Sequence, residues 1–170
     1  KFNFFTMVKL RRTILWVIAV CLLNVSCAIF HPDRTKKDEL GYYISHFNAC
    51  GPIALEKAFE ALENPINRIQ ISRDIQGTGN GTRLLLSMLH HGALQITLPS
   101  EIETVCKKYG YKVITADKLN ELDPKKDVAL VLVWGEILDA HWLCFPIDVN
   151  IDNFFGRYTK ISKILLLKKI

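Results

Sequence analysis

Apolar residues recur at helical spacing in the first half of the chain that follows residue 40. Leu55, Phe59 and Leu62 lie three or four positions apart, and charged residues fall between them. Pro52 suits the first turn of such a helix, because its missing N–H is not needed there. The same pattern predicts helices over residues 53–63, 68–76, 82–91 and 99–109.

The second half of the chain changes to the pattern of strands. Residues 128–134 are almost wholly apolar, which is typical of a central strand, and residues 111–115 precede them as a shorter one. Further strands are predicted over residues 141–148 and within 153–167, and residues 40–47 are predicted to be extended. Helices first and strands second predict an α+β fold, in which a helical half packs on an antiparallel sheet.

An uncharged apolar run covers residues 13–30 and follows Lys9, Arg11 and Arg12. This arrangement is typical of a secretory signal peptide, and its length is near the lower limit for a membrane anchor. Cys27 lies in a sequence similar to a lipobox, so lipid attachment is a third interpretation. Each of these places the rest of the protein outside the cytoplasm, whereas a buried core helix would need a partner that the polar residues after it do not supply. We predict a signal peptide or anchor helix over residues 1–30, a linker over 31–40 and one domain over 41–170.

The formal charge of +5 does not indicate nucleic-acid binding. Four of the positive charges precede residue 29, where no acid occurs, and the remainder of the chain is close to neutral. A protein that binds phosphate backbones needs a basic patch, and the domain has none in its sequence. The membrane, through the N-terminal segment, is the partner that the basic residues indicate.

The domain contains three cysteines, an odd number that disfavours a disulfide framework. They are not spaced as the ligand pairs of a zinc site, and the pair of His141 and Cys144 is a weak metal signal. His90 and His91 precede a glycine at a predicted helix end, where polar residues commonly contact free carbonyls. We therefore predict neither a metal nor a cofactor.

Cys50 is the best candidate for a nucleophile. It lies in an Asn-Ala-Cys-Gly-Pro sequence at the predicted start of a helix. Free N–H groups and the helix dipole at such a position favour the thiolate, which is the reactive form. Cys106 and Cys144 fall inside a predicted helix and strand, and we expect both to be buried small hydrophobic residues.

His141 supplies the second half of a nucleophile–base pair. It begins an apolar strand about ninety residues after Cys50. Cysteine nucleophiles use a base that is distant in sequence and adjacent in space. A packed core histidine is the other interpretation of His141, and the combination with Cys50 favours catalysis.

These motifs together resemble the papain-like cysteine peptidases. Cys-Gly-Pro opens a helix, a Tyr-Gly-Tyr sequence leads into a strand, and a His-Trp-Leu sequence begins another. The chain is most similar to the double-glycine leader peptidases that process bacteriocins and to their stand-alone relatives, over residues 42–152. The resemblance implies a papain-like fold and a peptide or protein substrate. It also implies that Cys50 forms a thioester acyl-enzyme and that His141 acts as general base and acid.

Two positions depart from the pattern of that family. Ile44 stands where the family has the glutamine of the oxyanion hole, so Asn48 is the preferred substitute donor, with Ser45 and His46 as alternatives. The third catalytic member would lie opposite His141 on the returning strand. A turn near residues 146–147 makes that residue Asp152, with Asp148 and Asn153 behind it, and a later turn would bring residues 157–162 there instead.

Two functions follow from the sequence. The first is an exported or membrane-anchored thiol peptidase, and the same dyad could serve an amidase or acyltransferase. The second is a catalytically impaired papain-like domain that binds a peptide or protein partner, which the missing glutamine favours.

Overall fold

The computed structural model describes residues 36–79, 97–134, 140–149 and 160–170. These form three α-helices and a four-stranded antiparallel sheet, so the predicted α+β class is confirmed. The predicted segment over residues 1–30, the predicted helix over 82–91 and the histidines within it lie outside the described residues. The helices are α1 (Cys50–Ala61), α2 (Arg68–Gln76) and α3 (Pro99–Lys108), and the strands are β1 (Tyr111–Ala116), β2 (Val128–Trp134), β3 (Ala140–Phe145) and β4 (Lys160–Lys169).

Local signals in the sequence set the ends of the helices. The side chain of Asn67 caps α2 by accepting the Ile69 N–H at 2.8 Å. At the start of α3, the carboxylate of Glu101 accepts the Leu98 N–H at 2.7 Å. Gly110 then adopts a φ of 85° and ends α3, a conformation that a residue with a side chain rarely takes.

The segment before α1 differs from the prediction. We expected residues 40–47 to be extended, and instead Ile44–Asn48 is a 3₁₀-helix. The amide of Gln76 fixes the start of this turn, because its oxygen accepts the Tyr43 N–H at 2.7 Å. His46 is fully buried within it. The hydrogen bond from Tyr43 to Gln76 and the contact of the buried His46 with Ser72 therefore hold this turn against α2 and override the local preference for a strand.

Part of the predicted linker also contacts the domain. The carboxylate of Asp38 accepts a hydrogen bond from the Arg73 guanidinium at 2.9 Å. Lys37 pairs with Tyr43 in an isolated β-bridge. Residues 36–40 are therefore attached to α2 and to the 3₁₀-helix.

The sheet has the order β1-β4-β2-β3, and every neighbouring pair is antiparallel. β2 is central, as predicted, and the strand expected within residues 153–167 is β4. Helix α1 packs against β3 and β2. Phe59 and Leu55 on α1 are fully buried, and burial of each such side chain contributes about 1.5–3 kcal/mol.

The two faces of the sheet belong to two apolar clusters. The helix-facing cluster includes Leu130, Trp142, Cys144, Leu165 and the buried residues of the helices. The opposite cluster includes Val131, Val133, Phe145, Ile164, Leu119 and Leu122. Within the described ranges, no helix is both long enough and apolar enough to cross a bilayer.

Candidate active site

Cys50 is the first residue of α1, as the sequence predicts. It is half-buried and borders the helix-facing cluster. The preceding Ala49 is extended and gives no side-chain cap, and the first turn of α1 carries no acidic residue. The free backbone N–H groups at the start of α1 therefore receive no side-chain cap from Ala49.

Gly51 allows a second segment to approach the start of α1 very closely. A Cβ atom at this position would lie 2.1 Å from Oγ1 of Thr97 and 2.4 Å from its Cβ. Carbon and oxygen atoms cannot approach to these distances without displacement, so a side chain at residue 51 would push the two segments apart. Glycine is required here because of a contact with a neighbouring segment, and the backbone of α1 is ordinary.

Thr97 also holds the strand that carries His141. Nε1 of Trp142 donates a hydrogen bond to the Thr97 carbonyl oxygen at 2.8 Å, and both residues are buried. Gly51, which follows Cys50, and Trp142, which follows His141, thus contact the same threonine. The start of α1 and the start of β3 are brought together at this point.

The side chain of His141 lies on the other side of the sheet from the helices. His141 pairs with Val133 in the β2–β3 register. Trp142 and Cys144 belong to the helix-facing cluster, while Val133 belongs to the opposite one. Because side chains alternate along a strand, the half-buried imidazole shares the face of Val133. The backbone positions of the predicted dyad converge, and the structure directs the His141 ring away from the α1 side.

The proposed oxyanion donors have different surroundings. Asn48 is exposed, and its amide oxygen accepts a hydrogen bond from Nη1 of Arg68 at 3.4 Å. Nε of the same arginine lies 3.2 Å from Oε2 of Glu56. Ile44, in the position of the family's glutamine, is 41% exposed.

His46 is buried, with Nδ1 2.7 Å from Oγ of Ser72 and Nε2 3.4 Å from Oγ1 of Thr97. These contacts place its ring inside the domain, beneath the start of α1. The alternative of His46 as an oxyanion donor is therefore not supported by the geometry.

Asp148 lies at the wrong end of β3 to orient His141. Its carboxylate accepts a hydrogen bond from Lys57 on α1 and another, at 3.0 Å, from the Cys144 N–H. Cys144 lies three positions after His141 along the strand, a distance of about 10 Å. Asp148 instead anchors the turn after β3 to α1.

The other candidates for the third member give one further result. Asp152 and Asn153 lie outside the described residues. A later turn would have placed residues 157–162 opposite His141. Of these, Lys160 pairs with Trp134 and Ile161 pairs with Val133, both on β2. β2 therefore separates them from β3, and they do not face His141.

The remaining two thiols of the domain are buried, as the sequence suggested. Burial raises the pKa of Cys106 to about 12, with a smaller contribution from the charge of Glu103. Burial also raises the pKa of Cys144 to about 12, and the charge of Asp148 adds to it. Both thiols are protonated at neutral pH and are poor nucleophiles.

Sequence reasoning missed Thr97, Ser72 and Gln76, which form the polar surroundings of His46. Nε2 of Gln76 donates to Oγ of Ser72 at 3.2 Å and to the Tyr43 carbonyl oxygen at 3.2 Å. The two helical residues are one turn apart, a spacing that permits a shared partner. Thr97 carried no local signal, because its partners lie 45 or more residues away.

The described part of the chain contains no cluster of three histidine, cysteine or acidic residues able to hold a metal ion. No family model matches the chain, and neither a curated protein nor a solved structure matches it. The function is consequently inferred from the geometry of the residues.

Proposed function

We propose that the protein is a thiol peptidase of papain-like fold, with Cys50 as its nucleophile and His141 as general base and acid. The observation that carries this proposal is the position of Thr97, which contacts Gly51 and accepts a hydrogen bond from Trp142. The start of the helix and the start of the strand that bear the two residues are thereby fixed beside one another.

The chemistry begins with the Cys50 thiolate, which attacks the carbonyl carbon of a peptide bond. The tetrahedral oxyanion accepts hydrogen bonds, with the Cys50 N–H and the Asn48 amide as the proposed donors. Imidazolium at His141 gives its proton to the leaving amine, and a thioester remains on Cys50. Water then attacks the thioester and His141 takes one water proton, so the carboxylic acid leaves and the Cys50 thiolate and the His141 imidazolium are regenerated.

Catalysis by this pair requires the His141 ring to reach the Cys50 side of the sheet. In the sheet formed by the described strands, β3 lies at an edge. His141 is the second residue of β3, so a rotation of the backbone that turned its ring to the other face would involve only the start of that strand. Asp152 remains the proposed third member.

Alkylation of the folded full-length chain with iodoacetamide tests the nucleophile. Cys50 should react at least about tenfold faster than Cys106 or Cys144, because burial raises the pKa of both to about 12 and excludes the reagent. Equal rates at the three thiols would contradict the proposal. Cleavage of a mixed peptide library should be lost in Cys50→Ala and His141→Ala, and retained in Cys106→Ala as the matched control.

A second candidate function is a papain-like domain that binds a peptide or protein without cleaving it. The orientation of His141 toward Val133 favours this function, and so does Ile44 in place of a glutamine. In that case the wild type should leave the library intact. Cys50→Ala should then retain the peptides that the wild type retains, measured by pull-down and mass spectrometry.

We further propose that the N-terminal segment delivers the domain to the far side of a membrane or holds it there. The support is the apolar run over residues 13–30 after Lys9, Arg11 and Arg12. Fractionation of cells that make the full chain should find the domain outside the cytoplasm. A mass increase that disappears in Cys27→Ala would identify lipid attachment, and loss of the segment would identify a cleaved signal peptide.

A further inference from the structure

A buried polar network lies directly beneath the start of α1. It consists of the side chains of Gln76, Ser72, His46 and Thr97, and we call it the His46 network. The imidazole is at its centre, with Nδ1 2.7 Å from Oγ of Ser72 and Nε2 3.4 Å from Oγ1 of Thr97. His46 and Ser72 are 0% exposed, and Thr97 is 4% exposed. Burying a polar group costs free energy unless the group is hydrogen-bonded. The side chains of this network therefore keep the orientations in which they bond to one another.

The network ends at the residue that locates the candidate nucleophile. Outside α1, Oγ1 of Thr97 lies nearest to where a Cβ of Gly51 would be, at 2.1 Å. The hydroxyl that faces His46 therefore also faces the backbone next to Cys50. A change in the rotamer of Thr97 would alter the space available to the first turn of α1.

We propose that His46 is a positioning residue for Cys50, and that it acts by holding the Thr97 hydroxyl in one orientation. The proposal rests on the proposed function in taking Cys50 as the nucleophile. The imidazole bridges helix α2, through Ser72, to the segment that contacts Gly51 and Trp142. A histidine can make this bridge because its two ring nitrogens point in different directions and each can donate or accept.

Two substitutions separate the two ends of the imidazole. An asparagine amide occupies the place of Nδ1, so His46→Asn keeps the contact with Ser72 and loses the contact with Thr97. A glutamine amide reaches the place of Nε2, so His46→Gln keeps the contact with Thr97. Thr97→Val removes the same hydrogen bond from the other side, while its shape and its carbonyl acceptor for Trp142 remain. Thr97→Ser keeps the hydroxyl.

The measurement is the rate of Cys50 alkylation by iodoacetamide in the folded full-length chain, with Cys106 as internal reference for opening of the core. His46→Asn and Thr97→Val should each lower the Cys50 rate about fivefold, the effect of one neutral hydrogen bond. The double variant should be no slower than either, because both remove one contact. His46→Gln and Thr97→Ser should react within about twofold of the wild type. If peptides are cleaved, kcat should fall by a similar factor with KM unchanged.

The proposal is overturned if the Cys50 rate in His46→Asn stays within twofold of the wild type. It is also overturned if all four variants slow the reaction in proportion to their loss of thermal stability, which is the behaviour of a merely structural histidine. Should His46→Asn not fold, an unchanged rate in Thr97→Val overturns the proposal in its place. Alkylation needs no substrate, so absence of peptidase activity in the wild type would refute the proposed function and leave this test intact.

Discussion

Helix α2 presents two different kinds of polar contact on its two sides. Ser72 and Gln76 face the 3₁₀-helix and belong to the His46 network, where the partners are hydroxyl, amide and imidazole groups. On the other side Asp74 is the centre of a charged cluster. It accepts hydrogen bonds from Lys108 and Tyr109, each at 2.6 Å, and another from Gln70 on its own helix. The network beside Cys50 is buried, and the charged cluster reaches solvent through Lys108.

The polar contacts on the two sides of α2 should respond differently to pH and to salt. Burial by itself raises the pKa of Asp74, but the hydrogen bonds from Lys108, Tyr109 and Gln70 outweigh it and lower that pKa below its ordinary value. The charged cluster therefore contributes stability that depends on pH and salt. The His46 network fixes geometry through short-range contacts, and its effect should depend on shape and on single hydrogen bonds. Helix α2 thus carries a network of short-range hydrogen bonds on one side and a charged cluster on the other.

The largest effect should come from Gly51→Ala. A methyl group there would overlap Oγ1 and Cβ of Thr97, so either the first turn of α1 or the segment at Thr97 must move. We expect a loss of about 2–3 kcal/mol of unfolding free energy, measured by urea denaturation. Thr97→Gly removes every contacting side-chain atom, so adding Gly51→Ala to that variant should cost much less. An equal cost in both backgrounds would show that Thr97 is not the obstacle.

Ser72→Val should rank next. It removes the hydroxyl that lies between His46 and Gln76, so the buried imidazole and the half-buried amide both lose that partner. The expected loss is about 2 kcal/mol of unfolding free energy. Thr104→Val is the matched control, because that hydroxyl is exposed and bonds only within its own helix, and its effect should stay within about 0.5 kcal/mol. Similar losses of unfolding free energy in the two variants would show that the hydrogen bonds of Ser72 in the His46 network stabilise the fold no more than an exposed hydrogen bond does.

Trp142→Phe should have a smaller effect. It keeps an aromatic ring in the helix-facing cluster and removes the N–H that reaches the Thr97 carbonyl oxygen. We expect a loss of about 1–2 kcal/mol of unfolding free energy, together with a slower alkylation of Cys50. A variant as stable as the wild type would mean that the start of β3 is held by packing alone.

The smallest effect, and the only one that should depend on pH, is expected for Asp74→Asn. Since the folded-state pKa of Asp74 is lowered, the folded protein binds fewer protons than the unfolded chain. The stability from this carboxylate is present above pH of about 4 and is lost as the pH falls through its folded-state pKa. The variant should lose about 1 kcal/mol at pH 7 and show a shallower decline below pH of about 4. Parallel curves for wild type and variant, from urea titrations between about pH 2 and 7, would contradict this assignment.

Much of the fold could be predicted from the sequence because its signals are local. Arg68–Gln76 and Val128–Trp134 have the predicted bounds, since Asn67 and Gly77 flank the first and a continuous apolar run between Asp127 and Gly135 marks the second. The 3₁₀-helix at Ile44–Asn48 was predicted wrongly as extended. Its conformation depends on Gln76, which is 33 residues from Tyr43 and gives no trace in the local pattern.

Some features of the candidate site could likewise be predicted from local sequence signals, and others could not. The place of Cys50 at a helix start follows from Pro52 and the apolar spacing after it, and the burial of Cys106 and Cys144 follows from their neighbours. The face of β3 on which His141 lies could not be predicted, because an apolar strand buried on both sides has no alternation to show it. Thr97 could not be found either, since contacts between distant segments create its role.

The order of the strands has a consequence for synthesis. β4 lies between β1 and β2 and pairs with both along its length, although it is the last of the described strands to be made. While the ribosome is still translating the residues before Lys160, β1 has no pairing partner among the described strands, and the β2–β3 hairpin is open on one side. A nascent chain with α1 already made therefore exposes apolar strand edges to chaperones until β4 is synthesised and completes the sheet of the described strands.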